Sequence, residues 1–164
     1  MTKFILPDLG WAYLVIVLAW FSRKVVGWQL SCRCRTQEWC EALEEAVLRE
    51  FPHGVQGQGL KLVSDNGCQP TSRSFLRVTA TLDIEQIFTS FNNPKGNAET
   101  ERFMRTLKEE LLWLEEFAGS KEAREKLSAW IDFYNKDYLH SALGSRSPQK
   151  YERLFQESNL EEAA

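Results

Sequence analysis

The sequence has few of the residues that build zinc sites and no excess of positive charge. It contains only two histidines and four cysteines among 164 residues, and its formal net charge is -3. The cysteines lack metal-finger spacing, so we expect reduced structural thiols in a cytoplasmic protein at Cys32, Cys34, Cys40 and Cys68. The acidic balance excludes the strongly basic surface of a stand-alone nucleic-acid binder, so any contact with nucleic acid has to be local.

No apolar run predicts a membrane-spanning helix. Residues 11–21 are the candidate, but a helix that crosses a membrane needs about 20 apolar residues. No signal-peptide cleavage site follows them, and Ser22-Arg23-Lys24 leads directly into further apolar residues, so we predict a buried strand. With 43% hydrophobic residues the chain can bury one sizeable core, and we expect a single domain.

The order of apolar and polar residues predicts a mixed α/β fold. Residues 13–20 and 25–30 are rich in strand-forming residues and predict a hairpin. The elements predicted after it are a helix capped by Thr36, a strand over residues 60–64, a helix capped by Thr71 or Ser72, a strand over residues 85–88, a helix over residues 98–117, a helix after Gly119-Ser120, and a short helix at Ser147-Pro148. Residues 156–164 form an acidic tail that we expect to fray. This order indicates a mixed sheet flanked by helices.

Two carboxylates stand where a metal site can form. Asp65 follows a predicted buried strand in the turn sequence Asp65-Asn66-Gly67, and Glu101 lies in the first turn of a long predicted helix. Magnesium prefers such oxygen ligands, and two ions about 3.5 to 4 Å apart can serve both reacting oxygens in phosphodiester chemistry. However, an aspartate in such a turn is more often a turn residue, and a glutamate in a first helical turn more often interacts with the helix dipole. The pattern alone leaves both interpretations open.

The spacing of the two carboxylates resembles that of a known enzyme family. Residues 66–100, thirty-five in all, separate Asp65 from Glu101, which lies within the segment from Gly96 to Glu110. These motifs resemble the integrase core of bacterial insertion-sequence transposases, which is similar to retroviral integrases. The resemblance implies a ribonuclease-H-like fold. It also implies a catalytic triad of two aspartates and one glutamate, with thirty-five residues between the second aspartate and the glutamate. Asp65 matches its second member and Glu101 its third.

The flanking sequences extend the resemblance over nearly the whole chain. Residues 21–28 resemble the family's second and third strands, and Tyr134-Asn135 to His140, with Ser147-Pro148 beyond, resembles its closing helices. The family's first aspartate stands immediately ahead of a stretch that resembles residues 1–4. We therefore expect residues 1–155 to be a catalytic core that lacks the start of its first strand, and we expect the chain as written to be inactive.

Three nearby positions are not expected to complete the triad. Asp8 lies beyond the first strand in a predicted turn, and we interpret it as an exposed loop residue. Glu99 is a rival for the third carboxylate, but the flanking residues match the family with Glu101 in that place, and we expect Glu99 at the helix cap. Ala19 stands where relatives often carry an aspartate, although that position is not a metal ligand.

Basic residues share one face of the predicted helix with Glu101. Arg105 and Lys108 follow it at i+4 and i+7. The resemblance implies that both approach the DNA end, where they would contact phosphates. In the alternative interpretation, they pair with Glu101 and Glu109 on a solvated surface. Lys95, in the preceding predicted loop, is a weaker candidate for DNA contact.

The resemblance implies a DNA transposase or integrase core that cuts DNA ends and joins them to a target with two magnesium or manganese ions. Its expected partners are transposon ends, target DNA and further copies of the chain, in the bacterial cytoplasm and on the nucleoid. Two alternatives stay open. A non-catalytic remnant that keeps the fold and self-association is favoured by the missing first aspartate. The spacing and the helix flanks argue against a nuclease of the same fold that acts on RNA in a hybrid.

Overall fold

Two short sheets and five α-helices form the part of the chain that the computed structural model describes, residues 1–89 and 98–162. The first sheet is antiparallel, in the order β1-β2-β3, with β1 at Thr2–Leu6, β2 at Gly10–Leu18 and β3 at Val25–Ser31. The second sheet is a parallel pair, β4 at Lys61–Ser64 and β5 at Glu85–Phe88. The predicted hairpin and both later strands are thus present.

The helices occupy the segments between and after the strands. They are α1 at Thr36–Glu50, α2 at Arg73–Thr81, α3 at Ala98–Leu107, α4 at Ser120–Lys136 and α5 at Pro148–Glu162. A π-helical turn, Lys108–Leu112, extends α3, and a 3-10 turn, Ser141–Leu143, lies between α4 and α5. Within residues 1–89 and 98–162, no helix has the length and apolar character needed to cross a membrane.

Side chains set the start of two helices, one as predicted and one not. The hydroxyl of Ser72 accepts a hydrogen bond from the N–H of Phe75 at 3.3 Å, which confirms Ser72 as the cap of α2. The prediction that Thr36 caps α1 is wrong, because Thr36 is already the first helical residue. Arg35 holds the cap position, and the Glu38 carboxylate accepts a hydrogen bond from its N–H at 2.7 Å.

The predicted single helix over residues 98–117 is wrong in its second half. The α-helix gives way to the π-helical turn after Leu107. A π-turn adds a residue to one turn and rotates the positions that follow, and here Leu111 and Leu112 are both buried. Leu114, which the α-helical pattern places on the buried side, is 73% exposed.

The last helix is longer than the sequence pattern predicts. α5 begins at Pro148 as expected but continues to Glu162, so the acidic tail predicted to fray is helical that far. Its Glu152 carboxylate accepts hydrogen bonds from the Ser22 hydroxyl at 2.6 Å and from the Lys24 ammonium at 3.0 Å. These two bonds anchor α5 to the β2–β3 turn, a long-range contact that the sequence pattern does not predict.

Apolar residues form two separate core clusters. The larger cluster packs the first sheet against α3 and α4, and its fully buried members include Leu6, Leu14, Phe103, Leu107 and Leu127. The smaller cluster packs α1 and α2 on the second sheet around Leu43, Phe75 and Ile84. α1 also packs on β3, so closely that a Cβ at Gly27 would lie 2.3 Å from the carbonyl oxygen of Ala42. This helix therefore holds the two parts of the fold together.

A buried asparagine joins α4 to the first sheet. The Oδ1 of Asn135 accepts a hydrogen bond from the N–H of Val25 at 2.8 Å, and its Nδ2 donates one to the Val25 carbonyl at 2.9 Å. Both residues are buried, so water cannot replace these bonds. The side chain thus pairs the backbone at the start of β3 as a neighbouring strand would.

We predict that Asn135→Leu destabilises the protein by roughly 1–3 kcal/mol for each of the two Val25 backbone groups that loses its partner. Urea unfolding of the variant and of the unchanged protein measures the difference. Ser128→Ala, at an exposed position of the same helix, is the control and should stay within about 0.5 kcal/mol. A midpoint for Asn135→Leu equal to that of the control would show that the two bonds contribute little.

Candidate functional site

Asp65 directly follows β4, and its side chain is exposed. Its Oδ1 accepts a hydrogen bond from the N–H of Gly67 at 2.9 Å, which confirms the predicted turn. A Cβ at Gly67 would lie 2.8 Å from that oxygen, so glycine allows the turn to close. Within the described residues this is the one hydrogen bond to the carboxylate, and Oδ2 remains available to a ligand.

Asp65 lines an open cavity of about 610 Å³, which we call the central cleft. Met1, at the start of β1, lines the same cleft, and so does Thr100 in the first turn of α3. Glu101 is the next residue along that turn and is exposed. The start of β1, the end of β4 and the start of α3 therefore meet at one cavity.

Charged side chains close to two of these elements shift the pKa of the Met1 α-amino group. Burial lowers its pKa, and the negative charge of Asp65 partly opposes that shift. Cys34 also raises the pKa, whereas the ammonium of Lys108 lowers it further. Asp65 and Lys108 thus lie within electrostatic range of the same group, one at the end of β4 and the other in the π-helical turn after α3.

The predicted DNA-contacting residues lie on the same helix as Glu101. Arg105 is exposed and Lys108 is half-buried. In the alternative interpretation, these cations pair with Glu101 and Glu109, but no such ion pair within 4.0 Å forms in the part of the chain that the structure describes. Their contact with DNA stays a prediction. Lys95 lies outside the described residues.

Glu99 has a partner of its own on another flank of α3. Glu99 lies in the first turn of α3, and its carboxylate accepts a hydrogen bond from the guanidinium of Arg23 at 2.8 Å, which makes the two residues an ion pair. Both residues line a smaller polar cavity of about 180 Å³, together with Arg102, Tyr138 and His140. The first turn of α3 carries two carboxylates, and Glu99 is paired with Arg23. Glu101, the other one, has no ion-pair partner among the described residues.

Asp8 lies in the turn between β1 and β2, as predicted, but it is not a free loop residue. Its carboxylate accepts hydrogen bonds from the N–H and the hydroxyl of Ser120, with Oδ2 at 2.8 and 2.7 Å from them. The Ser120 hydroxyl and then its N–H lower the pKa of Asp8. β1 separates this turn from Met1 and rises roughly 3.3 Å per residue, so Asp8 lies at the other end of the strand from the central cleft. Apart from a serine at the start of α4, no local pattern in the sequence predicts this contact.

The chemistry of the donor set suits one hard divalent ion. Magnesium is commonly held by one or two carboxylates, with water and substrate phosphate completing its coordination. Asp65 and Glu101 supply exposed carboxylates of this kind. Among residues 1–89 and 98–162, no group of three or more His, Cys, Asp or Glu side chains forms a metal site. That both carboxylates bind one ion stays a prediction.

We predict that Asp8→Asn weakens the docking of α4 at neutral pH. Because the pKa of Asp8 is lowered from 3.8 in the folded state, its stabilisation is present above pH 3.8 and is lost as the pH falls through the folded-state pKa. The urea midpoint of the variant should therefore be lower at pH 7 and approach that of the unchanged protein in acid. Glu125→Gln, an exposed carboxylate on α4, is the control. A difference that persists undiminished in acid would contradict the role of the charge.

The sequence matches the family described as Integrase core domain over residues 1–94 and again over residues 82–148. A similar protein is the transposase for insertion sequence element IS904 of Lactococcus lactis subsp. lactis (strain IL1403). It is 31% identical over 145 residues, which cover 88% of this chain and 56% of the transposase. The chain thus spans about half the length of the curated relatives that it matches.

Two solved structures are similar in fold. The catalytic core domain of BIV integrase has a TM-score of 0.67 and 19% identity, over 100% of this chain and 96% of that one. The simian T-cell lymphotropic virus intasome in complex with PP2A regulatory subunit B56 gamma gives a TM-score of 0.72 and 18% identity, over 92% and 51%. These likenesses confirm the predicted ribonuclease-H-like fold. Because the family match covers more than half of the sequence, the chain belongs to the Integrase core domain family.

Proposed function

We propose that the Asp65 end of the central cleft is the metal-binding part of a DNA transposase or integrase core, the kind of domain that cuts DNA ends and joins them to a target. The observation that carries this proposal is the meeting of β4 and α3 at one cavity. Asp65 and Thr100 line it, and Glu101 follows Thr100. The family membership supports the same chemistry, since cores of this family generally use divalent metal ions.

Asp65 and Glu101 are the proposed metal ligands. The turn at Gly67 binds one oxygen of Asp65 and orients the other, while Glu101 stands on the first turn of a helix that the larger core cluster holds. Magnesium or manganese, when bound, would activate the attacking water or 3′ hydroxyl and stabilise the leaving oxygen. The two carboxylates would hold the positive charge of the ion beside the scissile phosphate.

Arg105 and Lys108 are the proposed phosphate contacts along α3, with Lys95 as a further candidate. They stand on the helix that carries Glu101, and no described acidic side chain forms an ion pair with either Arg105 or Lys108. The net charge of -3 means that such contacts are local. We propose transposon ends and target DNA as the ligands, and residues 1–155 as the core that binds them.

Self-association and a cytoplasmic site of action are part of the same proposal. One structure of similar fold is an intasome of a simian virus, and we propose that several copies of this chain assemble on DNA in the same general way. A non-catalytic core is the second candidate function. It is favoured because, within the described residues, Asp65 belongs to no group of three or more His, Cys, Asp or Glu side chains that could hold a metal ion.

We predict that Asp65→Asn and Glu101→Gln each weaken manganese binding by about tenfold or more, since even the loss of an outer partner of a metal ligand costs about 10–100-fold. Electron paramagnetic resonance of free manganese measures the dissociation constant. Glu99→Gln is the matched control, because that carboxylate pairs with Arg23. An equal loss in the control, or none in Asp65→Asn, would contradict the assignment.

We predict that the double variant Arg105→Glu and Lys108→Glu flattens the salt dependence of DNA binding. Each lost phosphate contact removes roughly 0.9 from the slope of log K against log salt. Fluorescence anisotropy with a labelled duplex over a range of potassium chloride concentrations measures this slope. The matched control, Lys121→Glu with Lys150→Glu, makes the same charge change at exposed positions of α4 and α5. Equal slopes for the two double variants would contradict the proposed contacts.

Strand transfer separates the two candidate functions. The substrate is a pre-cut DNA end with a target duplex and manganese. A joined product that disappears in Asp65→Asn and in Glu101→Gln would establish the enzyme. Folded protein that binds manganese and DNA but gives no product would instead support the non-catalytic core.

A further inference from the structure

The smaller polar cavity beside Glu99, which we call the Arg23 cavity, opens on a different side of α3 from the central cleft. Its lining comes from the β2–β3 turn, from α3, and from the end of α4 and the residues after it. No described residue lines both cavities. Arg102 follows Glu101 along the chain, but successive residues of an α-helix point about 100° apart. The Arg23 cavity is therefore separate from the proposed metal ligands.

Arg23 brings a mostly buried cation to this cavity. Its side chain is 14% exposed, and one guanidinium nitrogen donates a hydrogen bond to Glu99 at 2.8 Å. The guanidinium makes no other hydrogen bond among the described residues. Because a guanidinium presents several N–H donors in one plane, donors remain for an acceptor inside the cavity.

Two further polar groups of the lining have no hydrogen-bond partner among the described residues. One is the His140 ring, whose Nε2 is buried. The other is the hydroxyl of Tyr134, which stays protonated and able to donate because burial raises its pKa. The centroids of these two rings are 5.1 Å apart, and both rings pack against Tyr138. Since buried polar groups in proteins are usually hydrogen-bonded, we expect an occupant that carries acceptors.

The lining carries more positive than negative charge. Among the described residues it holds the guanidiniums of Arg23 and Arg102 and one carboxylate, that of Glu99. Arg102 forms no ion pair within 4.0 Å in the part of the chain that the structure describes. Burial lowers the pKa of His140, and the charges of both guanidiniums lower it further against the opposing effect of Glu99. Hydrogen-bond donors and a net positive charge together match an anion.

We propose that the Arg23 cavity binds a single phosphate group. The two guanidiniums donate to the phosphate oxygens, and the Tyr134 hydroxyl and the His140 ring supply the further donors. Tyr138 does not contribute, since its hydroxyl donates to Glu110, outside the lining, at 2.8 Å.

The volume of the cavity fits one such group. It is about 180 Å³, the liquid volume of roughly six water molecules, whereas pockets for drug-sized ligands have about 300–1,000 Å³. A phosphate group with a few bound waters fits this space, and a base with its sugar stays outside. Water alone would satisfy the donors but leave the net positive charge of a partly buried site without a counter-charge.

Isothermal titration calorimetry of the full chain with inorganic phosphate tests the proposal. We expect saturable binding with a dissociation constant on the order of 1 mM, since ligands of few atoms gain little binding free energy. Sodium chloride keeps the ionic strength constant in every titration. EDTA removes divalent ions, so phosphate cannot bind through a metal ion at Asp65 and Glu101. The result therefore does not depend on the proposed metal site.

Two variants remove donors from the cavity. Arg102→Gln removes a guanidinium at an exposed position, and His140→Phe removes both ring nitrogens but keeps an aromatic ring beside Tyr134. Each should weaken phosphate binding about tenfold or more, because hydrogen bonds to charged groups are the strong ones. Arg77→Gln is the matched control, since it removes an exposed guanidinium on α2, outside the cavity. Circular dichroism checks the fold of each variant, and Arg102→Gln alone is sufficient if His140→Phe does not fold.

A second comparison identifies the source of the phosphate. A 5′-phosphorylated hexanucleotide and the same strand with a 5′ hydroxyl are titrated under the same conditions. A preference for the phosphorylated strand that is lost in Arg102→Gln supports a strand end as the ligand. Equal binding of the two strands, with inorganic phosphate still bound, supports the free ion.

Two results would overturn the proposal. If inorganic phosphate does not saturate the unchanged chain at concentrations well above the expected dissociation constant, water alone occupies the cavity. If Arg77→Gln loses as much affinity as Arg102→Gln, the chain attracts phosphate through dispersed surface charges and not through this site.

Discussion

The close contact between α1 and β3 at Gly27 positions the two parts of the molecule. A Cβ there would lie 2.3 Å from a carbonyl oxygen of α1, so only glycine lets the helix approach this closely. On its other side α1 packs through Leu43 against Phe75, beneath the sheet that carries Asp65. Because few other contacts join the two sheets, the place of Asp65 relative to β1 depends on how α1 is seated. A further bond, from Gln69 to the carbonyl of Cys34 at 3.0 Å, ties the loop after Asp65 to the loop before α1.

Features set by neighbouring residues were predictable from the sequence, and features set by distant contacts were not. The strand at Glu85–Phe88, the Ser72 cap and the turn at Asp65 each depend on residues within a few positions of one another. By contrast, Asn135 binds Val25 across 110 positions. Which residues meet in that contact follows only from the packing of the whole core. The π-helical turn that buries both Leu111 and Leu112 also has no local sequence pattern that predicts it.

The candidate site likewise combines features set by neighbouring residues with features set by distant contacts. The spacing predicts Asp65 and Glu101 as the two carboxylates of the site, whereas the pattern of the first helical turn does not by itself separate Glu101 from Glu99. In the structure the two glutamates differ in their contacts, because Glu99 pairs with Arg23, which has a left-handed backbone with φ of 63° in the β2–β3 turn. That conformation lets the guanidinium reach Glu99 at 2.8 Å. A turn remote in sequence thus occupies the carboxylate of Glu99, whereas Glu101 has no ion-pair partner among the described residues.

Charged and apolar groups line different parts of the central cleft. At the Asp65 end, the groups that matter are charged, and their interaction weakens with salt when it is exposed. Along residues 15–18 and the wall of α1, the lining is apolar. Since charges interact more strongly where water is excluded, a ligand that covers the Asp65 end would strengthen the hold of Asp65 on a cation.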